Sequence, residues 1–253
     1  MDSMSIELPA WLGDDPGVPF PPVSRALREP DGLLAAGGDL SPARLLDAYA
    51  HGIFPWYSEG QPILWWSPDP RTVFRTDAVH LSSRFRRSLR GSRWEVRADT
   101  AFADVIDACA SVPRADQHGT WITTDMRDAY VALHGLGHAH SVEVFDGDAL
   151  VGGLYGVAIG RMFFGESMFS SASGGSKVAL AALAHRLRQW EWPLLDAQVE
   201  NAHLLRLGAE SWPRERFVAT VEALCRQPGP PGPWTARFDR LPASDLAAPA
   251  IAR

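Results

Sequence analysis

With 253 residues and 46% apolar content the chain can bury one large core or two modest ones, and its two cysteines, Cys109 and Cys225, have neither CxxC nor Cys/His spacing, which leaves a disulfide framework or a zinc site without support. No apolar run approaches the ~20 residues of a membrane-spanning helix, and MDSMSIELPAWLGDD is acidic where a secretory signal is basic and then greasy, so a cytoplasmic location with no membrane partner is expected. A formal net charge of -6 speaks against a general nucleic-acid coat, although an average hides local fields.

The first third is rich in proline, glycine and tryptophan. Ser41 and Pro42 read as the N-cap and first-turn proline of a helix with Leu45, Leu46 and Tyr49 on its apolar face, and loops and short strands account for the rest. Trp56, Trp65, Trp66 and Trp121 stand among glycines and prolines, outside any apolar period, and suit either a core or a stacking platform for an unpaired base. Between Arg75 and Arg97 seven arginines (75, 84, 86, 87, 90, 93 and 97) face only Asp77 and Glu95. Two readings stay open for SSRFRRSLRGSRW: a solvated helix face, or a grip on a phosphate backbone.

Helical spacing covers 100–110 and 124–136, and a domain boundary is expected between 98 and 137. After Gly137, SVEVF, ALVGGLYGVAI and MFFGESMF, separated by DGD and GR turns, predict three consecutive antiparallel strands. Ser176 is expected to cap a helix whose Leu180, Leu183, Leu187 and Trp190 fall on one face. LLDAQV reads as a short buried strand, NAHLLRLGA as a helix with a glycine cap, and WPRERFVATVEAL as a further helix. From QPGPPGPW onward the tail is expected to be too proline-rich to pack regularly. Meander, helix, strand, helix is the order of GNAT-type acyltransferases, an analogy at the level of fold.

The segment GESMFSSASGGSK fails as a P-loop, because its order is Gly-Gly-Ser-Lys, and as a nucleophile elbow, because GESMF lacks the second glycine of GxSxG. A plain helix start, or a helix start that attracts an anion, both fit Ser176 and Lys177. Strand alternation predicts that Asp196 and Gln198 share one face of an apolar run, and Glu166 ends the greasy strand MFFGES. Buried polar groups need partners, so these three form either a structural hydrogen-bond set or a catalytic constellation.

Taken together, EPDGLLAAGGDLSPARLLDAY, GIFPWYSEGQPILWWSPDPR, GTWIT, LHGLGHAHSVEVF, LVGGLYGV, GESMFS, LLDAQV, LGA and PRERF resemble the leucyl/phenylalanyl-tRNA-protein transferases over residues 19 to 217. The resemblance implies an α+β fold, with a small N-terminal α/β domain (1–97, carrying the basic segment), a GNAT-like catalytic domain (98–227) and a Pro-rich tail (228–253). It implies transfer of Leu or Phe from aminoacyl-tRNA to the N-terminal Arg or Lys of acceptor proteins, marking them for degradation, with no cofactor or metal. By the same resemblance Asp196, Gln198 and Glu166 are catalytic, and Trp56 and Trp121 hold the terminal adenosine. Leu154, Phe163, Gly165, Leu180, Leu183, Leu187 and Leu195 form the pocket for the transferred side chain. Arg84, Arg86, Arg87 and Arg90 would grip the tRNA body. Gly174-Gly175, Ala197 and Arg206 depart from the family pattern, and the diglycine is expected to loosen its loop. In the expected mechanism Asp196 hydrogen-bonds the Gln198 amide and polarises it toward the attacking amine; a shuttle through the ribose hydroxyls is the alternative. Rival readings are an RNA-binding module with an inert polar pair and an acyl-coenzyme A enzyme acting on small amines.

Overall fold

The computed structural model describes residues 8–13, 15, 17–112, 122–229 and 232–248. A small sheet is built from β1 (Ala10–Leu12), β2 (Leu33–Gly37), β3 (Phe54–Pro55) and β4 (Leu64–Trp66) in the order β1-β2-β4-β3. Helix α1 (Pro42–Ala50) follows β2; the Ser41 side chain accepts from Arg44 N, a proline stands in the first turn, and Leu45, Ala48 and Tyr49 are buried, as capping and periodicity require. Trp65 is fully buried and donates to the Gly37 carbonyl at 2.9 Å, so this tryptophan is a core filler.

The larger sheet has eight strands, ordered β11-β5-β10-β9-β8-β7-β6-β12. They are β5 (Arg71–Arg75), β6 (Glu95–Ala98), β7 (Ala139–Asp146), β8 (Ala149–Ile159), β9 (Met162–Ser170), β10 (Leu194–Gln198), β11 (Glu210–Trp212) and β12 (Leu241–Pro242). Their connections include α2 (Ser83–Leu89), α3 (Phe102–Ser111), α4 (Thr124–Gly135), α5 (Gly175–Gln189), α6 (Ala202–Arg206), α7 (Arg214–Cys225) and α8 (Thr235–Phe238). Strands β7, β8 and β9 form an antiparallel meander, and α5 carries the chain over to β10, which runs parallel to β9. This is the meander, helix and strand order read from the sequence. One core lies on the sheet face shared with α1, α3, α4 and α7, and the other lies under α5 and the tail.

Several boundaries differ from expectation. Strands β5 and β6, both of which start before residue 98, belong to the larger sheet, so that sheet reaches back across the expected boundary. The tail packs regularly after all: β12 pairs with β6, Trp234 is buried, and its N–H donates to Asp99 at 2.6 Å. Prolines on an edge strand cost the ladder little, because the side without a donor faces away from the partner. Helix α5 is capped by Gly174 at φ 93°, two residues before the expected Ser176, whose N–H instead donates to Ser170 Oγ. The diglycine tightens its loop rather than loosening it: a Cβ on Gly175 would stand 2.4 Å from the Val151 carbonyl, and one on Gly174 2.5 Å from the Phe85 ring.

Candidate active site

Strands β9 and β10 pair only as far as Phe164 and Asp196, and beyond that point they part. Gly165 permits the approach at the fork, since a Cβ there would lie 3.1 Å from the Asp196 carbonyl. The gap opens into a cavity of about 360 Å3 under α5. Its apolar wall includes Leu154, Phe163, Leu180, Leu183 and Leu195, as expected, together with Phe74 and Leu204, which were not. Leu187 does not reach it; one turn further along α5, it is fully buried in the core instead. Glu166, Asp196 and Asn201 bring polar groups to the same cavity.

Both strands bulge where the polar residues sit. Gly156 pairs with Gly165 and Tyr155 with Ser167, so Glu166 is the extra residue of β9. Asp196 pairs with Val73 and Gln198 with Thr72, so Ala197 is the extra residue of β10. Bulges re-aim side chains, and here strict alternation, the basis for placing Asp196 and Gln198 together, does not hold. Gln198 takes φ 61°, a left-handed conformation costing on the order of 1 kcal/mol or more for a non-glycine residue. Two hydrogen bonds hold it there: its N–H donates to Asp196 Oδ1 at 2.9 Å, and its Nε2 donates to Glu166 Oε1 at 2.7 Å.

The expected bond from Asp196 to the Gln198 side-chain amide is therefore absent. Asp196 is fully buried and engaged by Arg71, also fully buried, through Nε to Oδ1 at 2.8 Å and Nη2 to Oδ2 at 2.6 Å. Arg71 Nη1 donates to the Gly52 carbonyl, and its guanidinium lies 4.6 Å from the ring centroids of both Phe54 and Phe217. Glu166 has only neutral donors: Tyr130 Oη donates to Oε2 at 2.7 Å and Gln198 to Oε1, while Tyr49 and Tyr130 join their hydroxyls behind it. Burial pushes the Glu166 carboxyl up to about 7, against the pull of the Tyr130 and Tyr49 hydroxyls. Burial likewise holds both tyrosines well above the ordinary phenol value.

Arg71, Tyr130 and Tyr49 were missed by the sequence reading. A signal existed for Arg71, an arginine two residues from Val73 on the same side of the apolar strand RTVFR and so in need of a buried anion. Trp56 follows β3, is 36% exposed, and packs against Trp66 with ring centroids 5.7 Å apart. Tyr57 Oη lies 3.3 Å from Thr123 Oγ1, which brings the Trp56 region to the chain just before α4; Trp121 itself lies outside the described residues. In the basic segment Arg75, Arg93 and Arg97 pair with Asp77, Asp146 and Glu95. Arg84, Arg86, Arg87 and Arg90, on and just after α2, make no ion pair among the described residues. No group of three or more His, Cys, Asp or Glu among the described residues is placed to hold a metal ion.

The model of the leucyl/phenylalanyl-tRNA protein transferases matches residues 73–222, and that of their N-terminal domain matches 38–69. The chain belongs to this family. A curated relative named leucyl/phenylalanyl-tRNA--protein transferase from Xanthomonas axonopodis pv. citri (strain 306) is 69% identical over 243 residues, 96% of this chain and 98% of its own. One of the same name from Xylella fastidiosa (strain 9a5c) is 66% identical over 91% of this chain and 95% of its own. A solved GCN5-related N-acetyltransferase-like protein from Streptococcus suis aligns over 68% of this chain and 65% of that one, at 13% identity and a TM-score of 0.30, too distant to add to the strand order above. Within the family frame the two models meet near residue 70, just before β5, which accords with β5 and β6 lying in the larger sheet.

Proposed function

We propose that this chain transfers a leucyl or phenylalanyl group from its tRNA to the α-amino group of a protein beginning with Arg or Lys, marking that protein for degradation in the cytoplasm. Family membership supports the reaction, and the cavity beside Glu166 and Gln198 is the observation that carries the assignment of residues. The leucyl or phenylalanyl side chain enters the apolar cavity, which rejects charged side chains through their desolvation cost. Glu166 receives the donor's own ammonium, the cation its buried carboxylate lacks. No helix among the described residues is long and apolar enough to cross a membrane.

The donor is already an activated ester, so orientation and one proton transfer suffice. The acceptor nitrogen attacks the ester carbonyl carbon, the bond to the ribose oxygen breaks, and that oxygen leaves carrying the amine's proton. Gln198 presents its carbonyl Oε1 to the amine because its Nε2 is committed to Glu166. Asp196 acts through Arg71 and the Gln198 N–H as a positioning residue that fixes the bulge, and not as a relay to the amide side chain. Trp56 and Trp121 stack on the terminal adenosine, and Arg84, Arg86, Arg87 and Arg90 hold tRNA phosphates.

Labelled Leu-tRNA incubated with a peptide beginning in Arg tests the proposal. Label is expected on the peptide N-terminus, and Gln198→Ala is expected to lower kcat by about 100-fold or more with the fold intact. Undiminished transfer by that variant overturns the role of Gln198; absence of transfer by the parent overturns the activity. Reversing charge at Arg86 and Arg87 is expected to flatten the salt dependence of tRNA binding, and equal slopes would remove phosphate contacts there.

A further inference from the structure

We infer that Trp234, in the tail, is a positioning residue that sets the depth of the donor pocket through Phe163, and with it the balance between leucyl and phenylalanyl donors; the inference rests on the transferase reading proposed above. Phe163 belongs to the apolar wall of the cavity, whereas Trp234 does not line it. The two rings meet with centroids 5.6 Å apart and planes tilted by 39°. Phe163 is also closed in by its neighbouring strand, because its ring lies against Gly156: a Cβ on that glycine would stand 2.6 Å from Phe163 Cε1. In a close-packed interior, the indole beyond the ring then decides how far Phe163 can withdraw from the cavity.

The indole itself is held on several sides. Its backbone N–H donates to Asp99 Oδ2 at 2.6 Å, and the same oxygen lies 2.8 Å from His140 Nδ1. His140 stacks on the indole with centroids 4.0 Å apart and planes 6° from parallel. Trp190 and Trp192 meet it edge-on, at 5.0 and 5.8 Å. Asp99, whose side chain is buried, also accepts from Ser141 N at 2.9 Å and takes φ 57°, a left-handed conformation that a non-glycine residue keeps only where its surroundings over-determine it. Such strain marks a place whose geometry matters, and the pocket wall is what the indole touches next. The rival role, merely docking the tail, is shared by Phe238: it is buried beside Trp190, with centroids 6.3 Å apart, but makes no ring contact with Phe163 among the described residues.

The test measures kcat/KM for Leu-tRNA and for Phe-tRNA with a peptide beginning in Arg. Trp234→Leu lets Phe163 withdraw and deepens the cavity, so the ratio of Phe to Leu transfer is expected to rise about tenfold. Trp234→Phe fills more of the space, disturbs folding less and should raise the ratio about threefold. Phe238→Leu, a comparable lesion in the same tail, is expected to lower Tm while leaving the ratio at its parent value. A ratio that stays or falls in Trp234→Phe, or an equal rise in Phe238→Leu, overturns the positioning role, whereas a parent that transfers neither amino acid overturns the transferase reading itself.

Discussion

Asp196 and Glu166 are buried carboxylates bordering the same gap between β9 and β10, yet their surroundings differ. Asp196 meets a guanidinium at both oxygens and a backbone N–H as well; Glu166 meets two neutral donors and no cation. A fully compensated carboxylate is fixed in place, which suits a strut. An uncompensated one, pushed up to about 7, is ready to take a cation that arrives with a substrate. The positioning and binding roles proposed for Asp196 and Glu166 rest on which carboxylate the protein has already paired.

Removing the compensation of Asp196 should produce the largest effect. Arg71→Met leaves that aspartate buried and alone, and is expected to cost about 3–5 kcal/mol in urea unfolding. Arg71→Lys should recover only part of the loss, because an ammonium does not reproduce the two parallel bonds. If Arg71→Met unfolds like the parent, the strut interpretation of Asp196 falls.

The next effect concerns Glu166 and has a definite sign. Its folded value of about 7 lies above the unfolded glutamate value near 4.3, so the folded protein binds the extra proton in between. The contribution is fully present below about pH 4.3 and is lost as pH rises through about 7. Glu166→Gln should remove this slope, worth about 4 kcal/mol across the window, while reducing affinity for Leu-tRNA. Stability measured at pH 5 and pH 8 in both proteins checks it; parallel slopes would show that Glu166 is not the uncompensated partner.

A smaller contrast separates neighbours on α5. Leu187→Ala, in the core, should cost about 2–5 kcal/mol of stability, with little change in preference between Leu and Phe donors. Leu183→Ala enlarges the cavity and should shift that preference toward Phe. Reversal of these outcomes would put the pocket on the wrong side of the helix.

How far the sequence could foretell these differences depends on the kind of signal. The meander, α5 and the strand LLDAQV were legible because period and turns are local properties. Asp196, Gln198 and Glu166 were nominated correctly as neighbours, but alternation misjudged how they meet, because a bulge of one residue in each strand leaves no mark in the apolar pattern. Leu187 shares its helical face with Leu180 and Leu183, and only the point where the sheet forks decides which of them meet empty space. Arg71 lies 125 residues from Asp196, a separation that local patterns do not bridge. The tail looked unable to pack because proline suppresses regular structure, but Trp234 stacks on His140 with centroids 4.0 Å apart and carries the tail into the core under α5.

The finest division between the two carboxylates is the Tyr130 hydroxyl, one of the donors that keeps Glu166 from rising further. Tyr130→Phe removes that donor while leaving the ring in the core, at a stability cost of about 1 kcal/mol. Loss of a bond to the charged form moves the Glu166 midpoint upward, by up to about one pH unit. The stability present at low pH should then persist to higher pH than in the parent before it declines, whereas binding of Leu-tRNA, if it needs the carboxylate, should require a correspondingly higher pH. Arg71 and Asp196 are unchanged in this variant, so a compensated strut predicts no loss of the Gln198 bulge. Backbone amide shifts of Gln198 that stay in place while the pH midpoint rises would separate the two roles within one protein; a midpoint that does not move would show that the Tyr130 hydroxyl does not hold the Glu166 carboxyl down.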